Sequence, residues 1–283
     1  MFQKRFRESL SAAINKSVAS EAPKSFDVVG DIVVIKLPKA LLPYKQNVAE
    51  ALILTNKHIR TVLLQTSPVN GGLRLRKLAW IGGRRTSKTL YRENGCLFEV
   101  DLREAYFSPR LSYERMRVAR QVRPEEIVVN MFAGVGCFSI VIAKNSQARK
   151  IFSIDINPNA WRYAKRNVLL NGVENRVKVL LGASERIVPS VLSGLADRIL
   201  MPLPLLANQS LEAAVEGLKQ GGGIIHYYTH IYAKKTENSV ALAWAKVQCI
   251  SCSGVSMNLL EGREVRSISP HQYQVVLDIQ IQK

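Results

Sequence analysis

The chain has 283 residues, more than one domain usually takes, so one large domain with a smaller companion is the first expectation. Hydrophobic residues make up 47% of it, yet no uninterrupted apolar run reaches the roughly 18 residues that cross a bilayer; this excludes a helical membrane protein and predicts a soluble, cytoplasmic one. Forty Lys and Arg against 22 Asp and Glu leave a net charge of +18 and a pI near 10.0, which points to a polyanionic partner, nucleic acid before membrane lipid.

The first twenty residues are basic and amphipathic, with Phe2, Phe6, Leu10, Ala13 and Ile14 at helical spacing. They imitate an organelle-targeting peptide, but Glu8 interrupts the positive face, and an appended basic helix beside an RNA-binding domain is the reading favoured. FDVVGDIVVIKL alternates like two strands around a tight bend at Gly30-Asp31 and is closed by Pro38. A helix is predicted from about Pro43 to Asn56, a β-branched strand over Thr61 to Thr66, and further strand character over Arg74 to Trp80 and Lys88 to Asp101. The first hundred residues therefore read as α+β.

After Glu125-Glu126 the pattern changes to strands alternating with helices: IVVNMF, Cys137 to Lys144, KIFSID, Pro158 to Asn171, RVKVLL and ADRILM. A helix over Gln209 to Lys219, the strand GGIIHYY, a helix over about Lys234 to Ala245, and a terminal pair near Val247 to Ser253 and Gln272 to Ile281 complete the order. The fold class predicted is α/β, with an open and mostly parallel sheet that binds its ligand at the carboxyl ends of the strands.

Four cysteines are too few for a disulfide scaffold of this length and suggest a reducing compartment. Cys249 and Cys252 form one CxxC, but His58, His226, His230 and His271 show no paired metal spacing, so no metal is expected.

Chemistry concentrates after the first strand of the second part. Phe132-Ala133-Gly134-Val135-Gly136-Cys137 is a tight glycine turn feeding a helix, where missing Cβ atoms let a ligand approach the backbone. Ser139 stands where a dinucleotide fingerprint has its third glycine, and the Lys-Ser/Thr of a phosphate loop is absent, so phosphate cofactors lose ground. Asp155 ends the next strand, about 20 residues on, where an acid meets ribose hydroxyls in such folds. Capping the helix ahead of Pro158 is the competing role for Asp155, and Asn157 is better placed for it. The combination points to S-adenosylmethionine.

The stretches RENGCLFEVDL, YFSPRLSYERMRVA, VVNMFAGVGCFSI, IDINPNA, ADRILMPLP, GGGIIHYYTH and VRSISP, followed by VVLDI, occur in an order that resembles the archaeal and eukaryotic tRNA guanine-37 N1-methyltransferases and their wyosine-pathway relatives. The likeness runs from about Pro23 to the C-terminus. It implies a Rossmann-like class I methyltransferase domain over residues 125–283, a smaller RNA-facing α+β domain over 21–105, a connecting helix over 106–124 and the basic helix over 1–20. It also implies S-adenosylmethionine as cofactor, the anticodon loop of tRNA at position 37 as partner, and a monomer.

Guanine N1 carries a proton, and its removal spreads charge onto O6, so methyl transfer there needs a base and a cation. Ser108 is suited to cap a helix and Pro109 to occupy its first turn, which would place Arg110 and Glu114 on one face. By resemblance Glu114 is the general base, Arg115 a cofactor contact, and Arg74 or Arg76 the cation for O6, with Arg74 preferred; the competing role for both is phosphate contact. Tyr106, Phe132, Gly134, Gly136, Asp155, Ile156, Ala183, Ser184, Pro202 and Pro204 complete the candidate cofactor set, and Tyr106, Tyr227 or Tyr228 could support a flipped base.

Three positions depart from the family pattern. Pro202 replaces the Asn of Asn-Leu-Pro, Ala183 stands where an acid recognises the adenine amino group, with Ser184 or Glu185 as substitutes, and Asn130 replaces an Asp in the first strand. They keep open action on a tricyclic wyosine precursor, aminocarboxypropyl transfer, and an RNA-binding homologue without turnover. Family members often carry another N-terminal domain that checks the tRNA corner, and its place here is taken by the basic helix, which predicts looser discrimination of tRNA shape.

Overall fold

A computed structural model describes residues 2–68, 71–250 and 254–283, and the chain divides by its own contacts into two units. The first comprises residues 1–93 and 97–110, the second residues 94–96 and 111–283.

In the first unit, α1 (Phe2–Ala13) and α2 (Lys16–Ser20) precede β1 (Asp27–Val29), β2 (Ile32–Ile35), α3 (Lys45–Thr55), β3 (Thr61–Gln65) and β4 (Leu78–Gly83). The strands form one sheet in the order β1-β2-β3-β4, with β2 and β3 parallel through the α3 crossover and the outer pairs antiparallel. The bend expected at Gly30 is present: Gly30 has φ +56°, and a Cβ there would meet Thr89 Oγ1 at 2.1 Å, so only glycine fits. The basic N-terminal helix is part of this unit's core rather than an appendage, since Phe6 and Leu10 pack with Val33, Val48, Leu52 and Val62. β5 (Lys88–Glu93) and β6 (Cys96–Asp101) pair around Asn94-Gly95, whose φ values of +48° and +73° make the tight turn such dipeptides favour.

Two expectations fail here. Arg74 lies outside any strand, in a turn with φ +53°, and β4 starts only at Leu78. Helix α4 runs over Ser112–Gln121 in the second unit, because Pro109–Leu111 forms a separate 3-10 turn. Arg110 therefore precedes the α-helix and does not share a face with Glu114.

The second unit continues with β7 (Ile127–Asn130), α5 (Cys137–Asn145), β8 (Lys150–Asp155), α6 (Pro158–Leu170), β9 (Val177–Leu181), α7 (Ser184–Val191), β10 (Arg198–Met201), α8 (Ala207–Gly217), β11 (Gly223–Tyr232), α9 (Ser239–Gln248), β12 (Ser256–Ser269) and β13 (Gln272–Gln282). Its sheet order is β12-β13-β11-β10-β7-β8-β9; the five strands from β11 to β9 are parallel, while β13 and β12 return antiparallel. This is the Rossmann-like open sheet expected, and the order reverses between β7 and β10, which opens a crevice at their carboxyl ends.

Two elements shift from their predicted places. Asn238 caps α9 by accepting from the N–H groups of Val240 and Ala241, so the helix starts later than expected and runs on through Val247 and Gln248, where a strand was predicted. The strand that pairs with β13 begins at Ser256 instead. Residues 251–253, and with them Cys252 of the CxxC, lie outside the described residues. Helix α7 was not expected from the sequence. No helix among the described residues is long and apolar enough to cross a membrane.

Candidate active site

The carboxyl ends of β7 and β8 carry the glycine turn and its acid. Gly134 and Gly136 have φ +56° and +90°, the left-handed region open to glycine, and Gly136 leads directly into α5. Asp155 accepts from the Gly134 N–H at 2.6 Å through Oδ2 and from the Asn157 N–H at 2.9 Å through Oδ1. Burial pushes its carboxyl up, and the two backbone donors pull it back. Asn157 caps α6 by accepting from the Asn159 N–H, as its position suggested, so Asp155 is not consumed by that duty. Ile156 beside it is exposed, and Phe132 is half-buried.

Each position that departs from the family pattern has its own environment. Asn130 is fully buried: its amide donates to Ser139 Oγ at 3.2 Å, Ser139 in turn donates to Ser153, and its Oδ1 accepts from the Phe132 N–H, so a neutral chain stands there. Ala183 is the N-cap of α7 and offers no side-chain cap; Ser184 is buried, and Glu185 accepts from Ser210 Oγ at 2.6 Å. Pro202 follows the last residue of β10, with Leu203 buried and Pro204 next to it. Tyr227, level with Met201, donates its hydroxyl to Asn208 Oδ1, and burial pushes that hydroxyl up to about 12.

Helix α4 supplies Glu114, only 2% exposed, and Arg115, 3% exposed with its guanidinium 6.0 Å from the Phe138 ring. Oε1 of Glu114 accepts from Arg117 Nε at 2.9 Å, Arg117 Nη2 at 2.6 Å and the Tyr228 hydroxyl at 2.8 Å. Among the described residues Oε2 accepts no hydrogen bond, although Arg263 Nη1 stands 3.6 Å away with its guanidinium over the Tyr113 ring. Tyr228 is buried, edge-on to Phe138, and burial together with Glu114 holds its hydroxyl protonated well above the ordinary range.

Sequence reasoning missed the layer behind Glu114. Arg117 also binds Asp278, Nη1 to Oδ2 at 2.5 Å and Nη2 to Oδ1 at 3.1 Å. Asp278 contacts His226 Nδ1 at 2.6 Å, His226 Nε2 contacts Arg198 Nη1 at 2.8 Å, and Arg198 ends on Glu126 through two hydrogen bonds. The only local signal for this layer is the i,i+3 spacing of Glu114 and Arg117.

In the first unit Asp27 serves two arginines, Arg110 Nε at 2.8 Å and Arg76 Nη1 at 3.5 Å, so the partner of Arg110 is Asp27 and the partner of Glu114 is Arg117. Arg74 lies over the ring of Tyr106, 4.3 Å from its centroid. No group of three or more His, Cys, Asp or Glu able to hold a metal occurs among the described residues.

A model described as the TRM5/TYW2 methyltransferase domain matches residues 89–249, and one described as the TYW2 N-terminal domain matches residues 6–86. Among known relatives, the tRNA (guanine(37)-N(1))-methyltransferase Trm5b of Pyrococcus abyssi is 37% identical over 264 residues, 92% of this chain and 75% of that protein. The tRNA 4-demethylwyosine(37)-methyltransferase Taw21 of Saccharolobus solfataricus is 38% identical over 257 residues, 90% of this chain and 93% of that protein. Solved structures agree: Trm5b of Pyrococcus abyssi at TM-score 0.84, 34% identical over 95% of this chain and 78% of that one, and the complex of aTrm5 with tRNALeu at TM-score 0.82, 32% identical over 97% and 77%. Methanocaldococcus jannaschii Trm5 in complex with adenosine gives TM-score 0.78, 31% identical over 98% and 78%. With its motifs, its sheet and both family models in agreement, the chain belongs to the TRM5/TYW2 methyltransferase family.

Proposed function

We infer that this chain methylates the purine at position 37 of tRNA with S-adenosylmethionine, and that the acceptor is N1 of guanine. The observation that carries this reading is the unequal carboxylate of Glu114, with Oε1 holding three hydrogen bonds and Oε2 none among the described residues. A carboxylate fixed through one oxygen presents the other as a base.

The residues fit the cofactor. Each oxygen of Asp155 accepts one backbone N–H and keeps a second lone pair for a ribose hydroxyl. Gly134 and Gly136 leave the backbone open, and exposed Ile156 offers apolar surface to a flat ring. Arg115, Phe132, Ala183, Ser184, Pro202, Pro204 and Tyr106 complete the assignment. Once bound, S-adenosylmethionine supplies an electrophilic methyl group. Glu114 breaks the N1–H bond by taking the proton on Oε2, which leaves the nitrogen pair free for the methyl carbon. Arg74 is assigned to the charge that spreads onto O6, with Arg110 as a second cation for the RNA.

A second reading has its own support. Pro202 brings no amide where family members have Asn, buried Leu203 and Pro204 follow it, and a relative 38% identical over 93% of its own length is named for 4-demethylwyosine. Action on that tricyclic base would also use a carboxylate wherever the acceptor atom carries a proton.

The test is incubation of the purified chain with S-adenosylmethionine and tRNA carrying either guanine or 4-demethylwyosine at position 37, followed by nucleoside mass spectrometry. 1-Methylguanosine at position 37 is expected. Methylation of the tricyclic base alone selects the second reading, and addition of an aminocarboxypropyl group overturns methyl transfer.

A further inference from the structure

The buried charges behind Glu114 form a chain that does not end at Arg117. Two guanidinium groups, Arg117 and Arg198, stand among three carboxylates, Glu114, Asp278 and Glu126, with His226 between Asp278 and Arg198. A guanidinium can only donate, so His226 Nε2, facing Arg198 Nη1, must be the acceptor. The ring hydrogen is then on Nδ1 and is donated to Asp278, which makes the imidazole neutral. Gln121 Nε2 adds a second donor to Asp278 at 3.1 Å. Asp278 is thus held on strand β13, buried and oriented from two sides, with its remaining capacity turned to Arg117.

This arrangement solves a problem that a simple ion pair would create. A guanidinium committed to Glu114 alone would fix the carboxylate and oppose its taking up a proton. Here Arg117 divides its hydrogen bonds between Glu114 and Asp278, with Glu261 Oε2 a further 3.6 Å contact at the surface. Both of its bonds to Glu114 go to Oε1. The geometry points to Asp278 as a positioning residue that acts through Arg117 to hold Oε1 of Glu114 and reserve Oε2 for the substrate proton. The inference rests on Glu114 being the base. The other groups that face Glu114 are Tyr228 from β11 and Arg263 from β12.

The experiment measures single-turnover rate, cofactor affinity and tRNA KM on the full chain, with S-adenosylmethionine and guanine-37 tRNA, for Asp278→Asn, Arg117→Lys, Glu114→Gln and the Asp278→Asn/Glu114→Gln and Arg117→Lys/Glu114→Gln double variants. Asp278→Asn should lower the rate about 10- to 100-fold, the size expected for a group that orients a functional side chain, with cofactor affinity and the tRNA KM unchanged. Arg117→Lys keeps the charge and loses the planar fork, so it should slow the reaction as well. In the Glu114→Gln background Asp278→Asn should have no further effect. An unchanged rate in folded Asp278→Asn, or an equal loss in both backgrounds, overturns the inference. If Asp278→Asn does not fold, Arg117→Lys decides instead: an unchanged rate, or an equal loss with and without Glu114→Gln, overturns the inference. A Glu114→Gln variant as active as the parent chain brings down the underlying reading instead, whatever Asp278 does.

Discussion

The Tyr228 hydroxyl donates to Oε1 of Glu114 at 2.8 Å across 114 residues of chain, joining strand β11 to the first turn of α4. Among the described residues the other oxygen of Glu114 has no such bond. Tyr228→Phe keeps the ring against Phe138 and removes only the donor. Stability should fall by about 1.5–3 kcal/mol, the range for a hydrogen bond to a charged group, and turnover should fall with it while the tRNA KM holds. Urea unfolding and single-turnover rates check both; an unaltered rate would show that this hydroxyl does not hold the base.

Glu114→Gln removes the proposed proton acceptor and retains the shape. Loss of a general base costs roughly 100- to 10,000-fold in kcat. Cofactor binding measured by calorimetry should be preserved, because Asp155, proposed to hold the ribose, and the glycine turn lie on other elements. Turnover within about threefold of the parent chain, far short of the loss a general base predicts, would remove Glu114 from the mechanism.

The strand and helix sequence of the second unit was legible because its apolar runs are short, separate and bounded: KIFSID is β8 to the residue, and Pro158 with Asn157 marks the start of α6. The strand-end position of Asp155 and the turn at Gly134 and Gly136 were legible for the same reason, since they depend on neighbours close in sequence. The partner of Glu114 was not. An i,i+4 relation to Arg110 required an α-helix from Pro109, whereas a 3-10 turn intervenes and Asp27 takes Arg110 instead. Tyr228 and Asp278 reach Glu114 and Arg117 through sheet packing, and no local spacing encodes that. Arg74 was misplaced on a strand because alternating Leu and Arg imitate period two, while the backbone there turns with φ +53°.

Asp155→Asn tests the ribose contact. Asparagine offers one acceptor oxygen where the aspartate uses two, so the N–H of Gly134 or of Asn157 loses its partner. S-Adenosylmethionine should bind at least about tenfold more weakly, the equivalent of one lost hydrogen bond of roughly 1.4 kcal/mol. Because burial raises the Asp155 carboxyl above 3.8, the parent chain should also lose cofactor affinity on acidification earlier than an ordinary carboxylate would. Equal dissociation constants for the two proteins would remove Asp155 from the site.

Asp27→Ala leaves Arg76 and Arg110 without their shared carboxylate. Arg110 is 51% exposed on its side chain, so its pair should contribute no more than about 1 kcal/mol, whereas Arg76 is 9% exposed and should account for most of the stability lost. The gain of one unit of positive charge should tighten RNA binding and steepen its salt dependence by about one unit in the log–log slope. A slope identical to that of the parent chain would mean that these two arginines take no part in phosphate contact.

The buried layer also predicts two stages of acid sensitivity. Burial, aided by Arg198 and Arg117 and opposed by Asp278, holds His226 below 6.5, so the unfolded chain binds a proton at this residue before the folded one does. Stability should therefore decline as pH falls below about 6.5, with a slope approaching about 1.4 kcal/mol per pH unit until the folded value is passed. Burial alone would raise Asp278, but His226 and Arg117 outweigh it and hold the carboxyl well below 3.8. Its contribution is fully present above 3.8 and is lost as pH falls from there through the folded value. Urea midpoints at about pH 7.5, 6 and 5 read the first stage, and midpoints below about pH 4 read the second. His226→Asn, which retains a donor for Asp278 and cannot titrate, should start less stable and show a flatter response across the first stage; the same slope in both proteins would assign that stage to another group.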